Sequence, residues 1–250
     1  MSQKTRVAVV GLGPWGKNLV REFNDLELLN LVCHHGNPEN AKWLQENFPK
    51  IKLTTNYEEM LANPEIDAVI IATPIKTHAR LAEKALLAKK QVWVEKPLAN
   101  NLIDGQKLVD LAKQKNLILN VGYVFLYHPA IEQIGTRLKN QTVETIETSW
   151  QKYGTFTEDI ALNLLTHELA IITQLMGKVE AITLENQKGV ISPADIIDCS
   201  GTSSNGGKFK IHLDRANQEK RKVVTIKTAE QTLLWEDEKL FTLSGDQKKE

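Results

Sequence analysis

Between Arg6 and Val121 the chain alternates short apolar runs with stretches of helical periodicity. The runs are VAVV, LNLVC, IKLTT, DAVIIA, QVWV and LILNV, together rich in Val, Ile and Leu. Continuous apolar strands are those buried on both faces, as in parallel sheets covered by helices. Six such strands predict a doubly wound α/β sheet. Two of the intervening helices show clear stripes: Leu81, Ala82, Ala85 and Leu86 within Thr77 to Ala88, and Ile103, Leu108 and Val109 within Leu102 to Leu111. Both stripes are assigned to the core.

After Tyr127 the texture changes. A helix is expected from Pro129 to about Leu138, a strand at VETIETSW, and a helix from about Ile160 to Met176 closed by Gly177. Strand-like pieces follow at DIIDCSG, KFKIHLD, KVVTIKT and TLLWED, and SSNGG at 203–207 marks a hairpin turn between the first two. The expectation is a Rossmann-type domain over residues 1–122 and an α+β domain over 123–250. The second is built on a mainly antiparallel open sheet, with no obvious linker between the two.

Composition narrows the function classes. The 250 residues are 42% hydrophobic and 25% charged, enough for one large core or two modest ones. Lys plus Arg equals Asp plus Glu at 31 each, so no net field draws in nucleic acid or an anionic membrane surface. No apolar run approaches the ~18 residues of a membrane span, and the N-terminus has no signal-peptide architecture. Cys33 and Cys199 lie far apart and match no metal spacing; they read as small buried thiols in a reducing cytoplasm. The scattered histidines and acids give no metal set.

The chemistry concentrates at strand ends. VAVVGLGPWG places Gly11, Gly13 and Gly16 in G-x-G-x-x-G spacing between a predicted strand and a predicted helix. Such glycines permit a tight turn, close approach of the backbone to a pyrophosphate, and close helix packing; free N–H groups of the first helical turn, with Pro14 tolerated there, hold the phosphates. Thr73 and Pro74 end the fourth strand, and Glu95, Lys96 and Pro97 end the fifth, so both segments should border the same crevice. Lys96 can polarise a carbonyl or pass a proton there.

About 20 residues past the glycine turn, where an acidic side chain usually grips the NAD ribose, the chain has His34 and His35. The usual selection against NADP is therefore absent. Either ring can donate to a ribose hydroxyl when neutral or pair with a 2′-phosphate when protonated, with Gly36 leaving room. The expectation is NADP-leaning or dual cofactor use; the alternative is that both rings merely cap the strand end.

GLGPWG, then ATP-x-x-x-H from Ala72 to His78, then EKP from Glu95 to Pro97, then VGYVFLYHP from Val121 to Pro129, in this order and spacing, resembles the glucose-fructose oxidoreductase, inositol dehydrogenase and MocA family. The resemblance spans about residues 5–243. GLGPWGKNLVREF and FLYHPAI look most like its branch acting on nucleotide-linked sugars, such as UDP-N-acetylglucosamine 3-dehydrogenases and UDP-sugar acid dehydrogenases.

That resemblance implies an NAD- or NADP-carrying first domain and a second domain that closes the substrate site and forms a homo-oligomer through its sheet. Gly11, Gly13, Pro14, Trp15, Gly16, His34, His35, Thr73, Pro74, His78, Glu95, Lys96 and the cis proline Pro97 would form the cofactor site, with Glu95 near the nicotinamide ribose. The family's helical Asp and His, four residues apart, fall on Asn163 and His167. Lys96 and His167 would then carry catalysis with Asn163 orienting a hydroxyl, because an amide cannot share a proton as a carboxylate does. Glu168 lies about 100° round the helix from His167 and is a poor substitute. His128 is either a helix-start residue or a substrate contact. Tyr127 and Phe125 either pack between the domains or stack a ring on sugar or base, and His212 is structural.

The function implied is hydride transfer between the nicotinamide and a carbon of a sugar, on a nucleotide-linked substrate. The alternative is a binder of the dinucleotide that has lost catalysis, favoured by Asn163 and by a C-terminus short for the family. A third reading is a reductase of another small carbonyl compound.

Overall fold

The computed structural model describes residues 4–245 and 247–249. The chain divides into two compact units, Met1–Gly122 and Tyr123–Glu250.

The first unit carries β1 Val7–Val10, α1 Pro14–Asp25, β2 Leu29–Cys33, α2 Pro38–Asn47, β3 Lys52–Thr54, α3 Tyr57–Ala62, β4 Ala68–Ile71, α4 Ile75–Leu87, β5 Gln91–Glu95, α5 Leu102–Lys115 and β6 Leu119–Gly122. Its strands form one sheet in the order β3-β2-β1-β4-β5-β6, and every pair is parallel. All four residues of β1 are buried, as a strand covered on both faces requires. Val9, Val20, Val32 and Leu44 fill one side of the sheet, and Ala8, Val69, Ala82, Ala85 and Val92 the other. Local chemistry sets the helix starts: the Asn37 and Asn101 side chains accept from the N–H groups of Glu39 and Asp104, the N-cap geometry that opens α2 and α5. Asn116, in the left-handed conformation, ends α5.

Two residues assigned to the core lie outside it: Val109 is only half-buried, and Ile103 is exposed. Ile103 is 80% exposed beside Leu102 at 84%, because α5 turns Leu108 and Ala112 inward and leaves its first turn facing out. With Leu87, these side chains line a shallow open groove between α4 and α5.

The second unit carries a 3-10 turn at Val124–Tyr127, α6 Pro129–Arg137, β7 Val143–Gln151, a π-helical turn at Ala161–Leu165 and α7 Thr166–Met176. It continues through β8 Val179–Lys188, β9 Ile196–Ser203, β10 Lys208–Asp214, β11 Arg221–Thr228, β12 Thr232–Glu236, β13 Lys239–Ser244 and β14 Gln247–Lys249. The sheet runs β14-β13-β12-β11-β7-β10-β9-β8; all its pairs are antiparallel except β7 with β10. β9 and β10 form the hairpin turned by residues 203–207.

Alternation divides this sheet. Ile146, Trp150, Phe209, Ile211, Leu213, Val224, Ile226 and Trp235 face a single core with Ile131 and Ile134 of α6 and Ile171 and Ile172 of α7. Each fully buried apolar side chain is worth roughly 1.5–3 kcal/mol, so this one-sided core holds the unit together. The alternate positions, among them Glu147, Lys210, His212 and Thr225, lie on the open face, where His212 pairs with Asp198 at 2.7 Å. No helix among the described residues is long and apolar enough to cross a membrane.

Candidate active site

In the first unit, the strand order reverses between β1 and β4. A crevice outside the carboxyl ends of parallel strands at such a point is where nucleotides bind in this architecture. The turn after β1 lies against the end of β4 so closely that a Cβ on Gly11 would sit 2.5 Å from the Ala72 carbonyl oxygen, and one on Gly16 would sit 2.2 Å from that of Gly11. These two glycines are required by the protein's own packing. Gly13 is different: a Cβ there would meet nothing within 4 Å, and its φ of −65° suits any residue. The protein thus leaves the Gly13 backbone open to approach from outside. The start of α1 has no side-chain cap and no acidic residue in its first turn, which leaves the first N–H groups and the positive end of the helix dipole for an anion. The residues present therefore fit a dinucleotide pyrophosphate.

Trp15 follows directly, half exposed, and its indole N–H donates to the Glu95 carboxylate at the end of β5. Glu95 is buried. Burial pushes its carboxyl up to about 7, against the opposing effects of the Trp15 hydrogen bond and of the Lys96 backbone N–H and charge. Gly122 makes room: a Cβ there would overlap the Trp93 ring at 2.6 Å and approach Glu95 to 3.3 Å. The Lys96–Pro97 peptide is cis.

His78 is 1% exposed, and its two ring nitrogens lie 2.8 Å from the carbonyl oxygens of Pro97 and Thr73. It braces the β4 and β5 ends against each other rather than offering a nitrogen to a ligand. The Thr73 and Thr77 hydroxyls are 2.7 Å apart, fixing the first turn of α4.

At the end of β2, His34 Nε2 lies 3.2 Å from the Asn37 carbonyl oxygen. A carbonyl only accepts, so Nε2 carries the proton, and in the neutral ring Nδ1 is an acceptor. The ring thus offers what a carboxylate would offer a ribose hydroxyl, without the negative charge. His35 is exposed.

In the second unit, Asn163 and His167 are 7% and 6% exposed. The expected single helix begins instead with the π-helical turn that carries Asn163, and His167 lies in the first turn of α7. Asp159 starts this segment by accepting the N–H groups of Ala161 and Leu162. The loop before it is held by Arg215, buried, which donates to the carbonyls of Thr155 and Glu158 and to Ser192, Ala194 and Asp195. Burial pushes the Asp195 carboxyl up, but the Ser192 hydroxyl and the N–H groups of Ser192, Ile191 and Val190 outweigh it and hold the group well below the usual carboxylate range.

The His167 ring meets Phe125, Trp150 and Tyr123 at centroid distances of 5.3, 5.7 and 6.1 Å, each nearly perpendicular. Glu168 points elsewhere. It is fully buried and accepts from Lys222 Nζ, which lies 4.4 Å from the Trp150 ring centroid, 4.9 Å from that of Phe125 and 5.8 Å from that of Trp235. Sequence reasoning passed over Lys222. The signal was present: in KVVTIKT it shares the inward parity of Val224 and Ile226, and a lysine there requires a buried partner.

Of the two substrate candidates, Tyr127 is 75% exposed rather than packed. His128 opens α6: its Nδ1 accepts from the Ala130 N–H at 3.1 Å, its Nε2 lies 3.1 Å from Glu238, and its ring lies on Trp235. Of the two roles open to His128, the structure displays the helix start.

Residues 5–123 match the oxidoreductase family with an NAD-binding Rossmann fold, Gfo/Idh/MocA. The chain is 33% identical over 130 residues to a dTDP-3,4-didehydro-2,6-dideoxy-alpha-D-glucose 3-reductase of Saccharopolyspora spinosa, covering 51% of this chain and 39% of the reductase. It thus spans about two fifths of that relative's length. It is 26% identical over 220 residues to a UDP-N-acetylglucosamine 3-dehydrogenase of Acidithiobacillus ferrooxidans, covering 86% of this chain and 68% of the enzyme. The solved structure of that organism's UDP-N-acetylglucosamine 3-dehydrogenase GnnA superposes with a TM-score of 0.88 at 21% identity, over 98% of this chain and 81% of GnnA, a likeness of fold.

Proposed function

We propose, from the match of residues 5–123 to the Gfo/Idh/MocA oxidoreductase family, that this chain is an NAD(P)-dependent oxidoreductase acting on a sugar carbon that bears hydroxyl or ketone, on a nucleotide-linked sugar. The observation that carries the cofactor assignment is Gly13, bare where the protein itself leaves space for a side chain. The nucleotide-sugar assignment is supported by the names of the two sequence relatives.

In this reading the turn Gly11 to Gly16 and the N-terminus of α1 hold the pyrophosphate. His34, with His35 beside it, meets the adenosine ribose and admits both NAD and NADP, since no carboxylate repels a 2′-phosphate. Trp15, Thr73, Pro74, Glu95 and Pro97 border the nicotinamide half, with His78 as their brace. The nicotinamide, when bound, supplies the hydride acceptor or donor. Lys96 polarises the substrate oxygen, His167 takes up or returns its proton, and Asn163 orients a hydroxyl. Tyr127 offers an exposed ring for stacking on sugar or base. The open face of the second sheet is assigned to a second copy of the chain, and the buried thiols Cys33 and Cys199 suit a reducing cytoplasm.

Asn163 favours one competing reading, a dinucleotide binder without turnover. Purified protein incubated with NADH or NADPH and a panel of UDP- and dTDP-sugars separates the two through cofactor absorbance. Turnover abolished by Lys96→Met with cofactor affinity retained supports the enzyme. A cofactor that binds and never turns over across the panel supports the binder.

A further inference from the structure

The buried Lys222–Glu168 pair is not explained by stability. Two charges taken out of water cost several kcal/mol each, and apolar residues of similar volume often serve as well. Its placement is informative. Phe125 and Trp150 are shared: each ring meets the Lys222 ammonium at 4.9 or 4.4 Å and the His167 imidazole at 5.3 or 5.7 Å between centroids. Glu168, next to His167 on α7, is fully buried, and its Oε2 makes no hydrogen bond among the described residues. The pair is therefore a fixed local dipole beside the imidazole.

We propose that Lys222 and Glu168 are positioning residues for His167, holding its ring through the shared aromatic cage and setting by their opposed charges how readily it takes up a proton. This deepens the reading of His167 as proton carrier and rests on it for its catalytic meaning. The ammonium disfavours an imidazolium and the carboxylate favours one, so the pair leaves the ring able to cycle between both states. Burial pushes the Lys222 ammonium below the usual lysine value while Glu168 opposes the shift. The other titratable groups of this unit around the cage are Tyr123, whose hydroxyl burial pushes up, and His128 with Glu238 beyond Trp235.

The test follows the His167 imidazole by NMR pH titration in the full-length chain. The chain has six histidines, and the His167→Gln spectrum identifies the signal. Glu168→Gln removes the carboxylate's charge and should move the midpoint down. Lys222→Met removes the ammonium and should move it up, each on the order of one pH unit. A merely structural pair predicts no such opposition, so equal, same-signed or absent shifts overturn the proposal. If a single variant fails to fold, Lys222→Met with Glu168→Leu keeps the pocket filled and neutral. Opposite shifts of similar size should largely cancel there, leaving the midpoint within about half a pH unit of wild type; a displacement of a full unit or more overturns the proposal. Retained turnover in His167→Gln would instead sink the proton-carrier reading and leave these shifts standing.

Discussion

The indole N–H of Trp15 donates to the Glu95 carboxylate, joining the glycine turn to a strand end 80 residues away in sequence. Two segments assigned to the cofactor crevice from sequence alone are thereby tied by one hydrogen bond, made to a carboxyl that burial pushes up to about 7.

That shift has a sign. A glutamate exposed in the unfolded chain titrates near 4.5. Between that value and about 7 the unfolded state ionises first, while the folded state keeps its proton. Stability from this group is complete below pH 4.5 and is lost as pH rises through about 7. Glu95→Gln should flatten the pH dependence of the melting temperature across this window, with its greatest relative gain above pH 7. Thermal melts at closely spaced pH values check this, and parallel curves for both proteins count against it.

Gly13 and Gly16 should separate binding from folding. At Gly13 an added methyl meets open space, so Gly13→Ala should hold its unfolding free energy within about 0.5 kcal/mol of wild type. Its dinucleotide affinity should drop roughly tenfold or more, because the methyl occupies the approach of the pyrophosphate. Gly16→Ala would drive a Cβ against the Gly11 carbonyl and should cost on the order of 1–3 kcal/mol. Denaturant unfolding and cofactor titration read the two effects; destabilisation by both to the same degree would remove the argument for a ligand at Gly13.

The parts of this molecule that were legible in sequence are those governed by short-range pattern. The six parallel strands showed as short runs dominated by apolar residues, unbroken in VAVV and interrupted by Lys52 in IKLTT, and the glycine turn showed because its context was a strand and a helix. Ile103 misled because periodicity marks which residues share a helical face, not whether that face is covered. β8 escaped notice because every residue after Val179 is exposed, so neither alternation nor an apolar run announces it. The contacts of Trp15 with Glu95, Lys222 with Glu168, and His78 with Pro97 join distant segments, and only tertiary structure brings them together. Lys222 alone left a trace, as a charge on the inward parity of its strand.

In the proposed cofactor site His34 takes the place of the carboxylate that excludes NADP, and with Nε2 facing the Asn37 carbonyl its Nδ1 is left toward the ribose. His34→Asp should restore the exclusion, raising Kd for NADP about tenfold or more by like-charge repulsion while leaving NAD binding near its original strength. Paired titrations with NADH and NADPH at pH 7 and fixed ionic strength give the ratio. An unchanged ratio would place His34 outside the ribose pocket and return it to the role of a strand-end cap.

The enzyme and binder readings are separated by a test at Asn163. That residue is buried four residues before His167, in the π-helical turn that feeds α7. Asn163→Asp places a carboxylate at that position with little change in volume. A carboxylate within ~4–6 Å of an imidazole stabilises the imidazolium by about 1–3 pH units, so the acid limb of kcat/KM should move up by on the order of one unit. The new acid can also share the substrate proton, and general acid–base assistance of this kind is worth roughly 100-fold or more when geometry allows. For a wild-type chain that turns over, the expected result is a raised kcat with a displaced acid limb. For one that binds cofactor without turnover, the expected result is activity appearing on the same sugar panel. A pH profile identical to wild type, with cofactor affinity intact, would show that this position lies outside the proton path.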